Sequence, residues 1–417
     1  MDEKRIKNQY LNSVRNEVKW KKARDAAVAE ISDHIDDLYD SYIATGTSPD
    51  DAMNKAVEKI GSPELVGSML NKTYRPVLNF EVIIMLAAFA VFCCFVHGFY
   101  SGYSSIIGIV IGAAATACFY WIDYEKLARK MPLLYAGFAI LAAAAFVFDE
   151  FLAPVRMAGT NRWGYVLMLS PFLHAGLVSY LKNKKNRMDI LIFWGTLIIP
   201  LAILTIRENA SFALILLVMD VFEVILLLKM EPDFLKKMCR NKAANGIVTA
   251  ATAAVSFLSV KCIVLNLSMN TGEQNFIENA WQTMQFTGEN LSDGVMNNAG
   301  ITKTAFPLLY LSGRYGLMSV CVMLFFYALL AAVLVRVIVR QKSKLGAQLV
   351  LTISVLYTTQ LLVALLCNFG IIGTSLYISF PFFGGAVMTF IDYALLGVIL
   401  SISRYQNIKS GEHFVYD

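Results

Sequence analysis

Charge is scarce in this chain. Only 16% of its 417 residues are Asp, Glu, Lys or Arg, too few for an ordinary soluble globule or for a disordered, charge-rich segment. Histidine is scarcer still: His34, His97, His174 and His413 lie far apart, so no metal-ligand cluster is expected. The cysteines form no C-x-x-C pair. Cys93, Cys94, Cys118, Cys262, Cys321 and Cys367 fall in or beside apolar runs and Cys239 in a basic loop, which predicts neither a disulfide framework nor a zinc site. Strand-like alternation, internal repeats and a secretory signal are also absent from the pattern, the chain opening instead on a charged segment. What is plentiful is apolar: 57% of residues are hydrophobic and the mean hydropathy is +0.56, which points to a polytopic membrane protein. The net charge of +5 then needs no nucleic-acid partner, because Lys and Arg accumulate in cytoplasmic loops.

The pattern predicts an all-α architecture in two parts, a cytoplasmic helical domain over residues 1–76 and a transmembrane domain over 77–417. In the first part Ala27, Ile31, Ile35, Leu38 and Tyr42 recur at three and four residues, one face of a helix that Gly46 ends. Ser48-Pro49-Asp50-Asp51 is a helix start with a capping hydroxyl, a proline in the first turn and acids at the positive end of the dipole. Gly61 followed by Ser62-Pro63-Glu64 repeats that punctuation.

From Phe80 onward ten apolar spans are expected, at 80–101, 103–122, 131–150, 164–181, 188–206, 210–229, 244–268, 305–335, 345–367 and 385–403, each near the ~20 residues a bilayer core requires. Alternate loops are basic, at Lys126–Lys130, Lys182–Arg187, Lys229–Lys242, Arg336–Lys344 and Arg404–Lys409. The opposite side holds only Arg156, Arg162, Arg207, Lys303 and Arg314. That asymmetry predicts both termini inside. It also places outside the one long polar segment, Asn270–Arg314, whose loop portion is 269–304. Loops of this length are functional or disordered, and Trp281, Phe276, Phe286 and Ile277 argue for order, hence for a cover over any chemistry.

Two resemblances refine this. ISDHIDDLYDSYIATGTSPDDAMNKAVEKIGSPELVGSMLNKTYRP resembles the HAAS or permease-prefix module that precedes membrane segments in Gram-positive bacteria, and implies a partner-sensing role. Along residues 80–405 the chain resembles the SEDS family, the RodA, FtsW and SpoVE type. Gln360 and Asn368, Gly370, Pro381-Phe382 and Phe383-Gly384-Gly385 stand where that family writes Q, N-L-G-L-L-P-V-T-G and P-F-x-S-Y-G-G. Gly159-Thr160-Asn161-Arg162-Trp163 resembles G-A-R-R-W, RENASFALIL from Arg207 resembles Q-P-D-L-G-T-A-L-V-L, and Thr304-Ala305-Phe306 resembles T-D-F. The resemblance implies ten helices in the bacterial cytoplasmic membrane, polymerisation of lipid II outside it, and a single-span transpeptidase partner. It implies no soluble cofactor, a divalent cation entering only with the lipid diphosphate.

Transfer of a sugar from a lipid diphosphate to a hydroxyl calls for a general base at that hydroxyl and cations or amides aimed at the leaving diphosphate. The family's acid of T-D-F is Ala305 here, a methyl group that takes no proton. Asp293 is the candidate substitute base. The substrate-binding candidates are Arg162, Trp163, Arg207, Lys303, Arg314, Gln360, Asn368, Gly384 and Gly385. Asp220, Lys261 and Asp392 lie inside expected spans, where an ionisable residue is costly and so a functional candidate. An Asp220–Lys261 ion pair and a hydrogen-bonding role for Asp392 are the structural alternatives. Three functions follow: a SEDS-type glycosyltransferase with a rearranged site, a SEDS-derived regulator without polymerase chemistry, and a flippase or transporter. The last is weakened by the lack of paired broken-helix repeats.

Overall fold

The computed structural model describes residues 2–19, 21–74, 76, 78–100, 103–137, 140, 164, 167–181, 188–206, 209–238, 242–267, 271–288, 306–373, 376, 378–384 and 386–406. Contacts divide the chain into two compact units. One comprises the described residues of Met1–Asn79, Val339–Gly346 and Ser403–Asp417; the other comprises those of Phe80–Ile338 and Ala347–Ile402.

The first unit is built on four helices, α1 (Asp2–Glu17), α2 (Lys21–Ala44), α3 (Pro49–Ile60) and α4 (Pro63–Tyr74). Their apolar stripes meet in a core of Tyr10, Val14, Ile31, Ile35, Met53 and Ala56. The starts of α3 and α4 are fixed by side chains: Ser48 Oγ accepts from Asp51 N at 3.4 Å and Ser62 Oγ from Leu65 N at 3.3 Å, satisfying donors that a helix leaves open. The Tyr10 hydroxyl reaches across to the Gly61 carbonyl at 2.8 Å and ties α1 to the α3–α4 joint.

The second unit is all-helical among its described residues. It contains α5 (Phe80–Tyr100), α6 (Tyr103–Trp121), α7 (Tyr124–Arg129), α8 (Ser170–Leu181), α9 (Met188–Ile206), α10 (Ala210–Met230), α11 (Pro232–Met238) and α12 (Lys242–Leu265), then α13 (Thr271–Thr283), α14 (Pro307–Tyr315), α15 (Met318–Arg340), α16 (Lys344–Asn368) and α17 (Ala386–Arg404). Ala210–Met230, Met318–Arg340, Lys344–Asn368 and Val387–Arg404 are long and apolar enough to cross a membrane; Phe80–Val96, Ile109–Trp121, Ile192–Ile206 and Thr249–Leu265 are shorter apolar stretches. The chain is therefore a membrane protein. Four full spans stand among the described residues against the ten expected, and most of the expected span 131–150 falls outside the described residues. Small residues let helices close up: a Cβ on Gly112 would meet the Tyr393 ring, and one on Gly397 would meet the Thr116 carbonyl. Thr116 Oγ1 donates to Tyr393 O at 2.7 Å across the same α6–α17 contact.

One expected element is corrected. The span expected over 305–335 is two helices, the short α14 and the long α15, broken at Gly316 with φ +81°. A side chain at Gly316 would strike the Phe286 carbonyl, so only glycine allows both the left-handed turn and the approach of the neighbouring segment.

Candidate functional site

Among the described site candidates, Gln360, Asn368, Gly384 and Asp392 lie at two breaks in the helical framework, the α16 C-terminus facing α14 and the turn before α17. Asn368, fully buried, ends α16. Its Oδ1 accepts from Leu308 N at 3.1 Å and Leu309 N at 3.4 Å, while its Nδ2 donates to Ala364 O at 2.9 Å. One side chain thus supplies the acceptors that the first turn of α14 lacks, and Phe306, the residue before that turn, makes no side-chain cap. Pro307 to Gly313 are all buried.

The front half of the long polar segment covers this joint. Trp281 on α13 donates its indole N–H to the Asn368 carbonyl at 2.9 Å, and buried Ile277 packs on Gly370. The Gln285 and Phe286 carbonyls accept from Leu317 N and Met318 N, each at 3.0 Å. Residues 271–288 are an ordered cap on the α14–α16 joint.

The second break is the turn 378–384. Phe382 holds φ +69°, a conformation that costs a non-glycine residue of order 1–3 kcal/mol. It is held there from several sides. Its N–H donates to Asp392 Oδ2 at 2.7 Å, Tyr327 donates to Pro381 O at 2.7 Å, Gln360 Nε2 to Ser379 O at 2.9 Å and Tyr357 to Asp392 O at 2.8 Å. Gly384 leaves no room for a Cβ, which would sit 2.6 Å from that of Met388 and 2.8 Å from Ser379 Oγ. Gln360 Oε1, Ser379 Oγ and Asp392 Oδ1 are buried with no hydrogen-bond partner among the described residues, a concentration of acceptor capacity in one turn.

A third polar cluster joins α8, α10 and α16. Glu223, fully buried, accepts from Gln348 Nε2 at 2.8 Å and Thr352 Oγ1 at 3.1 Å, with His174 Nδ1 at 3.7 Å. Asp220 lies one turn before it, 9% exposed. Lys261 is exposed on α12, so it is not the buried ionisable group expected, and it forms no ion pair with Asp220 among the described residues. A lysine in the last turns of an apolar helix keeps its ammonium outside the packed interior by lying on the outer face.

The structure brings Gln360 and Asn368 onto one helix, sets Gly384 and Asp392 against the turn they flank, and leaves Arg314 exposed near the end of α14, its guanidinium 6.0 Å from the Tyr315 ring. Asp293, Arg162, Trp163, Arg207, Lys303 and Gly385 lie outside the described residues, as does Ala305, just before Phe306. Gln348, Thr352, Tyr357, Tyr327 and Ser379 were not singled out by sequence. The spacing of Gln348, Thr352 and Gln360 on α16 was a usable signal, since four-residue steps stack polar groups on one face.

No protein-family model matches the chain, and no curated protein matches its sequence. Solved structures do match. One is a chain from a structure described as "Structural coordination of polymerization and crosslinking by a peptidoglycan synthase complex", with a TM-score of 0.52 at 14% identity over 79% of this chain and 98% of that one. The likeness is one of fold.

Proposed function

We propose that this chain is a SEDS-like membrane protein of bacterial wall synthesis, serving cell shape, division or sporulation, which binds a polyprenyl-linked disaccharide such as lipid II on the outer side of the cytoplasmic membrane. The observation that carries the reading is a coincidence. The motif order that resembles the SEDS family runs along residues 80–405, and a chain from a peptidoglycan synthase complex shares the fold over 98% of its own length. The residues of that resemblance also fall at the built joints: Asn368 caps α14, Gln360 holds the 378–384 turn, and Gly384 closes it.

In this reading the outward cations Arg162, Arg207, Lys303 and Arg314, with Trp163, form the rim that receives the diphosphate. A divalent cation arrives with the substrate, and the 271–288 cap shields the reaction. The membrane carries both termini on its cytoplasmic face, and the complementary partner is a single-span transpeptidase. Asp293 is the proposed proton acceptor in place of the acid that Ala305 lacks.

A second reading, a SEDS-derived regulator that holds lipid II without polymerising it and reports through its N-terminal helices, is favoured by Ala305 itself. Purified protein incubated with labelled lipid II separates them. Polymer made by the parent chain and lost in Asp293→Ala supports the enzyme; saturable binding without polymer supports the regulator. Neither polymer nor binding, with vectorial transport in vesicles, would replace both by the flippase.

A further inference from the structure

Helix α10 carries two carboxylates one turn apart with opposite surroundings. Glu223 is enclosed by Gln348, Thr352 and His174. Asp220 accepts no hydrogen bond and meets no cation among the described residues. Glu223 stands one turn further along the same helix, and the nearby Tyr135 hydroxyl donates to Thr196 O at 2.9 Å. Asp220 instead lines a cavity of about 350 Å³ between α9, α10 and α12, whose walls are mostly apolar, as at Leu197, Leu201, Val224 and Val255, aromatic at Trp194, and polar at Thr252 and Ser256. The Trp194 indole N–H is buried and has no acceptor among the described residues. Asp220 sits ten residues from either end of α10, about 15 Å along the axis at 1.5 Å per residue. A carboxylate at that depth is stable only when neutral or paired.

We propose that this cavity binds a compact lipophilic amine, whose nitrogen forms an ion pair with Asp220. Such an amine enters hydrocarbon as its neutral base. At Asp220 the carboxylic O–H breaks as the ammonium N–H forms, so the pair is made inside the site without carrying a net charge through the bilayer. The Trp194 ring adds the aromatic surface that attracts an ammonium most strongly. The volume is near the lower end of small-molecule pockets, roughly 300–1,000 Å³, which selects a small apolar body. An aminophospholipid headgroup is held at the membrane interface, about half a bilayer core from Asp220, so the occupant is a free amine. This inference stands on α9, α10 and α12 alone and does not depend on the proposed wall-synthesis function.

The test is equilibrium binding of radiolabelled adamantan-1-amine, with adamantan-1-ol as its uncharged counterpart, to the full-length protein in phosphatidylcholine nanodiscs. Saturable binding of the amine at one site is expected, at least tenfold weaker in Asp220→Asn and lost in Val255→Phe, which fills the cavity and keeps the carboxylate. Melting midpoints establish that each variant is folded; if Asp220→Asn does not fold, Val255→Phe and the alcohol decide. Equal binding of amine and alcohol, undiminished binding in either folded variant, or no saturable binding overturns the proposal. Loss of amine binding when phosphatidylethanolamine replaces half of the lipid also overturns it, by assigning the site to the headgroup.

Discussion

Asn368 and Asp392 each accept from buried backbone N–H groups of another segment, Asn368 from Leu308 and Leu309 and Asp392 from Phe382. Replacing Asn368 by Ala removes the acceptor shared by Leu308 N and Leu309 N. A lost cap costs about 0.5–2 kcal/mol, and burial of the joint puts the cost at the upper end. We expect a lower melting midpoint in detergent, with faster amide exchange confined to 307–315. At Asp392, Asn retains an acceptor for Phe382 N whereas Ala strands that buried donor at about 1–3 kcal/mol. Asp392→Asn is therefore expected to melt well above Asp392→Ala; equal midpoints would remove the anchoring role.

Phe382 shows how two opposing effects are ranked. Glycine there would relieve a left-handed strain of about 1–3 kcal/mol. It would also delete a ring whose centroid lies 5.0 Å from that of Phe89 and 5.3 Å from those of Tyr357 and Tyr393, and loss of a buried Phe typically costs about 3–5 kcal/mol. Packing wins, so Phe382→Gly is expected to lower the melting midpoint.

At the scale of elements, the α14–α15 break depends on Gly316. Gly316→Ala meets both the positive φ and the Phe286 carbonyl, and is expected to loosen the strands of backbone bonded there, Gln285–Leu317 and Phe286–Met318. Amide exchange at Leu317 and Met318 should rise while α17 stays protected. In the α1–α4 unit, the Tyr10 hydroxyl is bonded to Gly61 O, and burial, with a smaller push from Glu64, raises its pKa from the ordinary 10.0. The sign follows: a raised folded pKa stabilises fully below pH 10 and is lost as pH climbs through the folded value. Tyr10→Phe is expected to flatten the alkaline loss of stability of this unit, read by exchange of α1 and α4 amides between pH 9 and about 11.

At the scale of the whole molecule, the distribution of apolar residues settled that this is a helical membrane protein, because backbone polar groups in lipid are satisfied within helices and hydrocarbon needs about 20 apolar residues to cross. Helix starts such as Ser48-Pro49 and stops such as Gly61 were equally legible, since a cap acts within one turn of its own sequence. Periodicity did not reveal the division of 305–335 into α14 and α15, because both pieces are apolar and the break is enforced by Phe286, thirty residues away from Gly316 in sequence. Nor did it foresee that Lys261 would face outward while Asp220 faces a cavity: residue depth along a helix is written in the sequence, but azimuth is set by which neighbours pack there. Local chemistry thus determined the elements and their apolar character. Only tertiary packing decided that Asn368 would cap a helix sixty residues upstream, that Asp392 would hold Phe382, and that Glu223 would be enclosed while Asp220 was left without a partner among the described residues, because those contacts join segments that the chain order keeps far apart.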